Sequence, residues 1–340
     1  MQLLQSSSKH RRLAAGTLRR KAQHDADSIS RCRGDRGFYD MHLARAGADV
    51  TFLVRPGRAR QLHRDGLVVQ SRGEELRQPV RHIQAGQVDA PFDLVFLTCK
   101  AYDLLPAMDA IAPAAGAATV VLPVLNGLAH FDALDARFGT DRVLGGVCYI
   151  AAMLGTDGVI RHIIPRDLLL FGVRGDGAPP QVPALAALFS TTAASARATD
   201  TILQDLWEKW YMLAAGAALT CLMRGTVGQI MATDEGHAIA EAIMAEARAV
   251  AGAAGHAPRP AAAAEQTRNQ LTQPSSPWAA SMMRDIEQGA SRLAAEHIVG
   301  DMARRGCAMG IGTPLLSAAY CQLQVYNARH ASILPQAVPA

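Results

Sequence analysis

The chain has 340 residues, of which 49% are apolar and 19% charged. That is enough apolar material for two ordinary domains, and it excludes a wholly disordered polymer. The formal charge of +4 is unevenly spread: residues 1–37 hold nine basic residues against three acidic ones, so the rest of the chain is slightly acidic. A nucleic-acid role could live only in that arm. It has no aromatic residue before Phe38 to stack on a base, so no nucleic-acid partner is expected.

In chain order, residues 1–37 show no apolar period and are expected to be a disordered or atypical basic segment. LARAG (43–47) reads as a helix end closed by Gly47, and TFLV (51–54) as a buried strand stopped by Pro56 and Gly57. A short helix over 58–66 and a hairpin over 67–81 follow. FDLVFLTCK (92–100) and ATVVLPVLNGL (118–128) are continuous apolar runs of strand length, separated by a helix that Pro113 ends. Apolar strands alternating with helices predict a parallel sheet covered on both faces. Two further strands are expected over 143–154 and 158–173, then a loop at 175–183. Beyond it the pattern is helical: 201–224, 234–254, 284–308 and 314–330, with a loose tail at 335–340. The expected fold class is therefore α/β, a Rossmann-like N-terminal domain over 38–182 followed by an all-helical domain over 183–332. That helical domain leaves room for a homodimer contact.

Six scattered cysteines form no CxxC or Cys/His metal spacing. No metal is expected, and reduced thiols fit a cytoplasmic protein. No apolar signal segment occupies the first 24 residues. The uncharged stretch 110–131 is interrupted by Pro113, Pro123, Asn126 and Gly127, so no membrane span is expected.

A sheet of this kind binds dinucleotides at the carboxyl ends of its strands. The TFLV strand ends in Arg55, with Arg58 and Arg60 close behind. A guanidinium there suits a 2′-phosphate, whereas an acid would suit an unphosphorylated ribose; a solvated basic loop is the plain alternative. Lys100 and Asn126 close the next two apolar runs, where a surface lysine and a turn asparagine before Gly127 are the plain readings. In DLWEKWYMLAAGAALTCLM, Lys209 precedes fourteen residues without charge. A lysine entering a buried helix either keeps its head in water or, desolvated, becomes a readier proton donor.

At this point the residues resemble a family. DLVFLTCKAYDL (93–104), VVLPVLNGL (120–128), GGVCYIAAMLGTDGVIRH (145–162), LWEKW (206–210), ASMMRDIEQG (280–289), EHIVGDMARRG (296–306) and GIGTPLLSAAYCQLQVY (310–326) look, in this order, like the ketopantoate reductases (2-dehydropantoate 2-reductases). The resemblance spans about residues 43–330. It implies NADPH-dependent reduction of a small-molecule 2-keto acid, 2-dehydropantoate to (R)-pantoate on the route to pantothenate and coenzyme A. By position it implies Lys209 as proton donor, Asn126, Lys209 and Ser281 as substrate-binding residues, and Arg55, Lys100, Asn126 and Ala152 at the cofactor.

The family pattern also breaks in two places. Its Gly-x-Gly-x-x-Gly turn should fall at 31, 33 and 36, where Arg31, Arg33 and Arg36 stand, and HDADSISRC occupies the place of an apolar first strand. First strand and turn read as lost or replaced. In the helical domain, Ala294 stands where the family carries a glutamate. Glu296 lies about 200° further round a helix and substitutes poorly. Against the family pattern one residue is inserted in the GASR turn, and Leu213 and Ala217 replace two asparagines. These breaks leave an alternative: an impaired or repurposed relative that does not bind NADPH.

Overall fold

The structure, a computed structural model, describes residues 25–27 and 34–331. Two compact units emerge. One runs to Leu125 and resumes over Phe131–Ile202; the other joins Asn126–His130 to the chain from Leu203 onward.

The first unit is built on a five-stranded, all-parallel sheet. Its strands are β1 (Asp25–Asp27), β2 (Val50–Leu53), β5 (Arg81–Ile83), β6 (Leu94–Leu97) and β7 (Val120–Pro123), in the order β5-β2-β1-β6-β7. This is the 3-2-1-4-5 order of a dinucleotide-binding sheet. β2, β6 and β7 are buried throughout, which explains their unbroken apolar sequences.

The central place is replaced rather than lost. Asp25–Asp27 lies between β2 and β6 and pairs with both. A parallel ladder is held by backbone groups, so two flanking strands can recruit a short polar segment that no hydrophobic pattern would mark. Arg31 and Arg33 of the expected turn lie outside the described residues, as do most of the basic arm and the tail at 335–340. Helix α1 (Gly34–Arg45) follows. On it, Gly37 stands one residue past the expected third glycine, and a Cβ there would sit 2.1 Å from Ile160 Cδ1. Close helix–sheet packing therefore falls at Gly37.

A second, mixed sheet carries β3 (Leu67–Ser71), β4 (Glu74–Gln78), β8 (Gly145–Leu154), β9 (Val159–Gly172) and β10 (Ala196–Ala198). The expected hairpin at 67–81 is β3–β4, turning through Arg72 and Gly73 at positive φ. Buried Asp167 accepts from Arg72 Nη2 at 2.9 Å and from the Ser195 backbone at 2.7 Å. α1 packs on β8 and β9, and Phe38, Tyr39, Phe52, Phe171 and Phe189 sit in the shared core. Helices α2 (Pro56–Asp65), α3 (Leu104–Ile111) and α4 (His130–Phe138) complete the alternation.

The units part at Ile202, later than 182. The segment expected as loop and domain boundary contains α5 (Gln181–Phe189), and β10 pairs with β9, so both stay with the sheets.

The described helical unit contains α6 (Ile202–Met223), α7 (Val227–Met231), α8 (Gly236–Ala253), α9 (Glu265–Leu271), α10 (Ser281–Glu287), α11 (Asp301–Ala308) and α12 (Pro314–Ala331). A capping box at Thr226 and Gln229 starts α7. The single helix expected over 284–308 is broken. α10 stops at Glu287, Gly289 follows with φ +66°, and helix resumes as a π-turn, Glu296–Gly300, running into α11. No helix among the described residues is long and apolar enough to cross a membrane, and no group of them could hold a metal ion.

Candidate active site

In the sheet unit, the polar strand ends gather at one edge. Arg55 caps α2, directly after β2, with its side chain exposed. Its Nη2 lies 3.8 Å from Asp103 Oδ2, in the 3-10 turn that follows β6 and Lys100. β1 lies between β2 and β6, so this ion pair spans two strand spacings, about 10 Å, across the carboxyl end of β1. Arg58 is used differently: its Nη1 donates to Gly158 O and Gln61 Oε1, both at 2.8 Å, and ties α2 to the β8–β9 turn. Of the three arginines, Arg55 and Arg60 remain exposed. Lys100 is half-buried at the end of β6, and its carbonyl accepts from Asp103 N at 2.8 Å. Ala152 sits in β8 where the register steps past a bulge of β9. No carboxylate follows β2, and the basic strand end suits the 2′-phosphate of NADPH.

In the helical unit, α6 carries Lys209 between buried Glu208 and buried Trp210. Trp210 Nε1 donates to Ile298 O of the π-turn at 3.0 Å. The preceding carbonyl, that of His297, faces Gly127: a Cβ on Gly127 would lie 2.2 Å from it and 3.9 Å from Trp210 Nε1. Gly127 also has φ +82°, a conformation costly for any other residue. The turn bearing Asn126 is thus seated against the π-turn and the Trp210 indole, one residue from Lys209. This is why Asn126–His130 belongs to the helical unit although it follows β7 in the chain.

Below Lys209 lies a charge network the sequence did not reveal. Arg259 donates through its backbone N (2.8 Å) and Nε (2.7 Å) to Glu208 Oε1, and through Nη2 to Glu208 Oε2 and Asp205 Oδ1, both at 2.5 Å. Burial pushes the Glu208 carboxyl up, but these bonds with that from Gln204 outweigh it and hold the group below the usual carboxylate range. The partner lies some fifty residues downstream, and no local spacing signals it.

Ser281 is exposed at the first position of α10. The preceding Ala280 N donates to Thr220 Oγ1 at 3.3 Å, and Thr220 lies about 16 Å along α6 from Lys209 at 1.5 Å per residue. Leu213 and Ala217 occupy the intervening turns. Glu296 is exposed and is held by Arg304 and by the Tyr320 hydroxyl, so it does not take up the place of the carboxylate missing at Ala294.

Comparison with known proteins agrees with this architecture. Residues 37–172 match the model of the family "Ketopantoate reductase PanE/ApbA", and residues 201–327 match that of its C-terminal domain. The chain is 32% identical to the "Uncharacterized oxidoreductase YkpB" of Bacillus subtilis (strain 168), covering 87% of this chain and 96% of that protein. It is 28% identical to a 2-dehydropantoate 2-reductase of Mesorhizobium japonicum, over 63% of this chain and 72% of that one. The crystal structure of 2-dehydropantoate 2-reductase from Geobacter metallireducens GS-15 superposes with a TM-score of 0.78 at 26% identity, over 89% of this chain and 99% of that one. The fold and these matches define an oxidoreductase of the dinucleotide-binding class. More narrowly, the chain belongs to the ketopantoate reductase family, whose members reduce 2-keto acids with NADPH.

Proposed function

We infer that this chain reduces 2-dehydropantoate to (R)-pantoate, with Lys209 as the proton donor. The observation that carries the reading is the seat of the Asn126–Gly127 turn on the Trp210–Ile298 contact, which ties a strand-end asparagine to the segment bearing Lys209. When bound, NADPH supplies hydride to the keto carbon. Arg55 takes the 2′-phosphate in exchange for Asp103, and Lys100 and Ala152 border the cofactor. The Lys209 ammonium hydrogen-bonds the keto oxygen and gives it a proton as negative charge develops there. Asn126 orients the reacting group, and Ser281 binds the far end of the substrate.

A second reading, a less polar 2-keto acid, is favoured by Leu213 and Ala217, which leave few polar partners along α6, and by the alanine at 294. Turnover of a keto-acid panel by the native chain and by Lys209→Ala tests both. The reading expects Lys209→Ala to lose roughly 100-fold or more in kcat while keeping its affinity for NADPH. Full activity in that variant would sink it.

A further inference from the structure

A cleft of about 330 Å3 opens on the second sheet, at the turn of the β3–β4 hairpin, and none of the candidate reductase residues lines it. Its volume falls within the range of small-molecule sites. The walls are polar: Ser71, Arg72 and Glu74 come from the hairpin, Arg161 and His162 from β9. β3 and β9 run parallel, and their ladder closes at Gln70 and Arg161. Ser71 and His162 follow side by side, at the cleft.

Ser71 Oγ lies 2.8 Å from His162 Nδ1. The other ring nitrogen, Nε2, faces the Arg166 carbonyl at 3.4 Å. A carbonyl only accepts, so Nε2 carries the proton and Nδ1 presents its lone pair to the serine hydroxyl. The Phe38 ring packs on the imidazole, with centroids 4.6 Å apart, and restrains its plane. A hydroxyl, a base in hydrogen-bond reach and a third group that orients the base are the parts of an activated nucleophile. Arg72 lines the same cleft with its side chain 54% exposed, and buried Asp167 anchors its Nη2 at 2.9 Å. Its guanidinium is a permanent positive charge of the kind that stabilises a developing oxyanion.

We propose that Ser71 and His162 form a nucleophile–base pair that hydrolyses small polar esters in this cleft, an activity separate from keto-acid reduction. Ser71 Oγ bonds to the ester carbonyl carbon while its proton passes to His162 Nδ1. The bond from that carbon to the alcohol oxygen breaks, and the alcohol leaves with the proton. Water then attacks the acyl-serine, giving one proton to Nδ1, which returns it to Ser71 Oγ as the acid departs. Ester and water become acid and alcohol, with no change of oxidation state. None of the described residues lining the cleft carries a hydrocarbon side chain, so short polar acyl groups fit it better than long or aromatic ones.

The test uses the full folded chain. Treatment with a small alkyl fluorophosphonate, followed by peptide mass mapping, should place a single adduct on Ser71, and p-nitrophenyl acetate should be turned over. Ser71→Ala should abolish that adduct and slow hydrolysis about 100-fold. His162→Asn keeps a hydrogen-bond partner for the serine but supplies no base. It should retain the native melting temperature and lose labelling rate and hydrolysis about 100-fold; a merely structural tie between the strands would leave both rates unmoved. No adduct on the native chain, an adduct at another residue alone, or labelling of His162→Asn at the native rate overturns the proposal.

Discussion

Replacing Arg259 by methionine isolates the charge network beneath Lys209. Asp205 and Glu208 are each only 6% exposed, and the variant deprives them of three side-chain bonds of 2.5–2.7 Å. Losing one member of a buried ionic cluster typically costs about 3–5 kcal/mol. The Arg259 side chain is 45% exposed, so screening lowers that figure, and water can reach part of the vacated space. We expect a loss of about 2–3 kcal/mol, which corresponds to a fall in melting temperature of several degrees.

The pH dependence follows from Glu208, whose folded carboxyl lies below its ordinary value. Its contribution is full at neutral pH and is lost as pH falls through the folded value. Without Arg259, burial, opposed by the Gln204 bond, favours protonation of Glu208. The gap between native chain and variant should therefore be widest near pH 7 and narrow towards about pH 4, near the free carboxylate value. Urea titrations of both proteins at the two pH values measure it. A gap under about 0.5 kcal/mol at pH 7, the level of an ordinary surface substitution, or one that does not change with pH, would refute the reasoning.

Other consequences are equally direct. Gly127→Ala combines positive φ with a 2.2 Å approach to the His297 carbonyl. It should destabilise the helical unit by about 3 kcal/mol, with a raised KM for keto acid, read by thermal melts and steady-state kinetics. Arg55→Ala should weaken NADPH binding about 10- to 100-fold and NADH binding little, because the lost contact is to the 2′-phosphate. Asp103→Asn should tighten NADPH by freeing Arg55 from its 3.8 Å partner. Burial pushes the Cys221 thiol up to about 12, so at pH 8 thiol reagents should modify exposed Cys307 and Cys321 and spare Cys99, Cys148 and Cys221 until the chain unfolds. Peptide mapping by mass spectrometry decides this.

Much of this architecture was legible where burial imposes a pattern. β2, β6 and β7 are buried along their whole length and read as unbroken apolar runs, and the polar residues after them stand out for that reason. β1 was not legible, because Asp25–Asp27 owes its place to backbone pairing with two neighbours. The loop expected over 175–183 runs three residues into α5, whose helix is fixed by packing of Leu185 and Phe189 in the core. The long helix expected over 284–308 failed at Gly289, whose positive φ ends the periodicity that the flanking residues suggest. At the candidate site, Asn126 stands out as a polar residue ending an apolar run, and Lys209 as the charge that precedes an uncharged one. Arg259 does not, since its bonds to Asp205 and Glu208 come from tertiary neighbours that no spacing announces.

The central claim is that this chain captures NADPH and uses it on a 2-keto acid despite arginines in place of the glycine-rich turn. Titration of the purified, folded chain with NADPH, followed by tryptophan fluorescence and then by keto-acid-dependent loss of NADPH absorbance, addresses it most directly. The account predicts saturable micromolar binding that Arg55→Ala weakens, and turnover that requires Lys209. A folded chain that neither binds NADPH nor consumes it with any 2-keto acid would contradict the account.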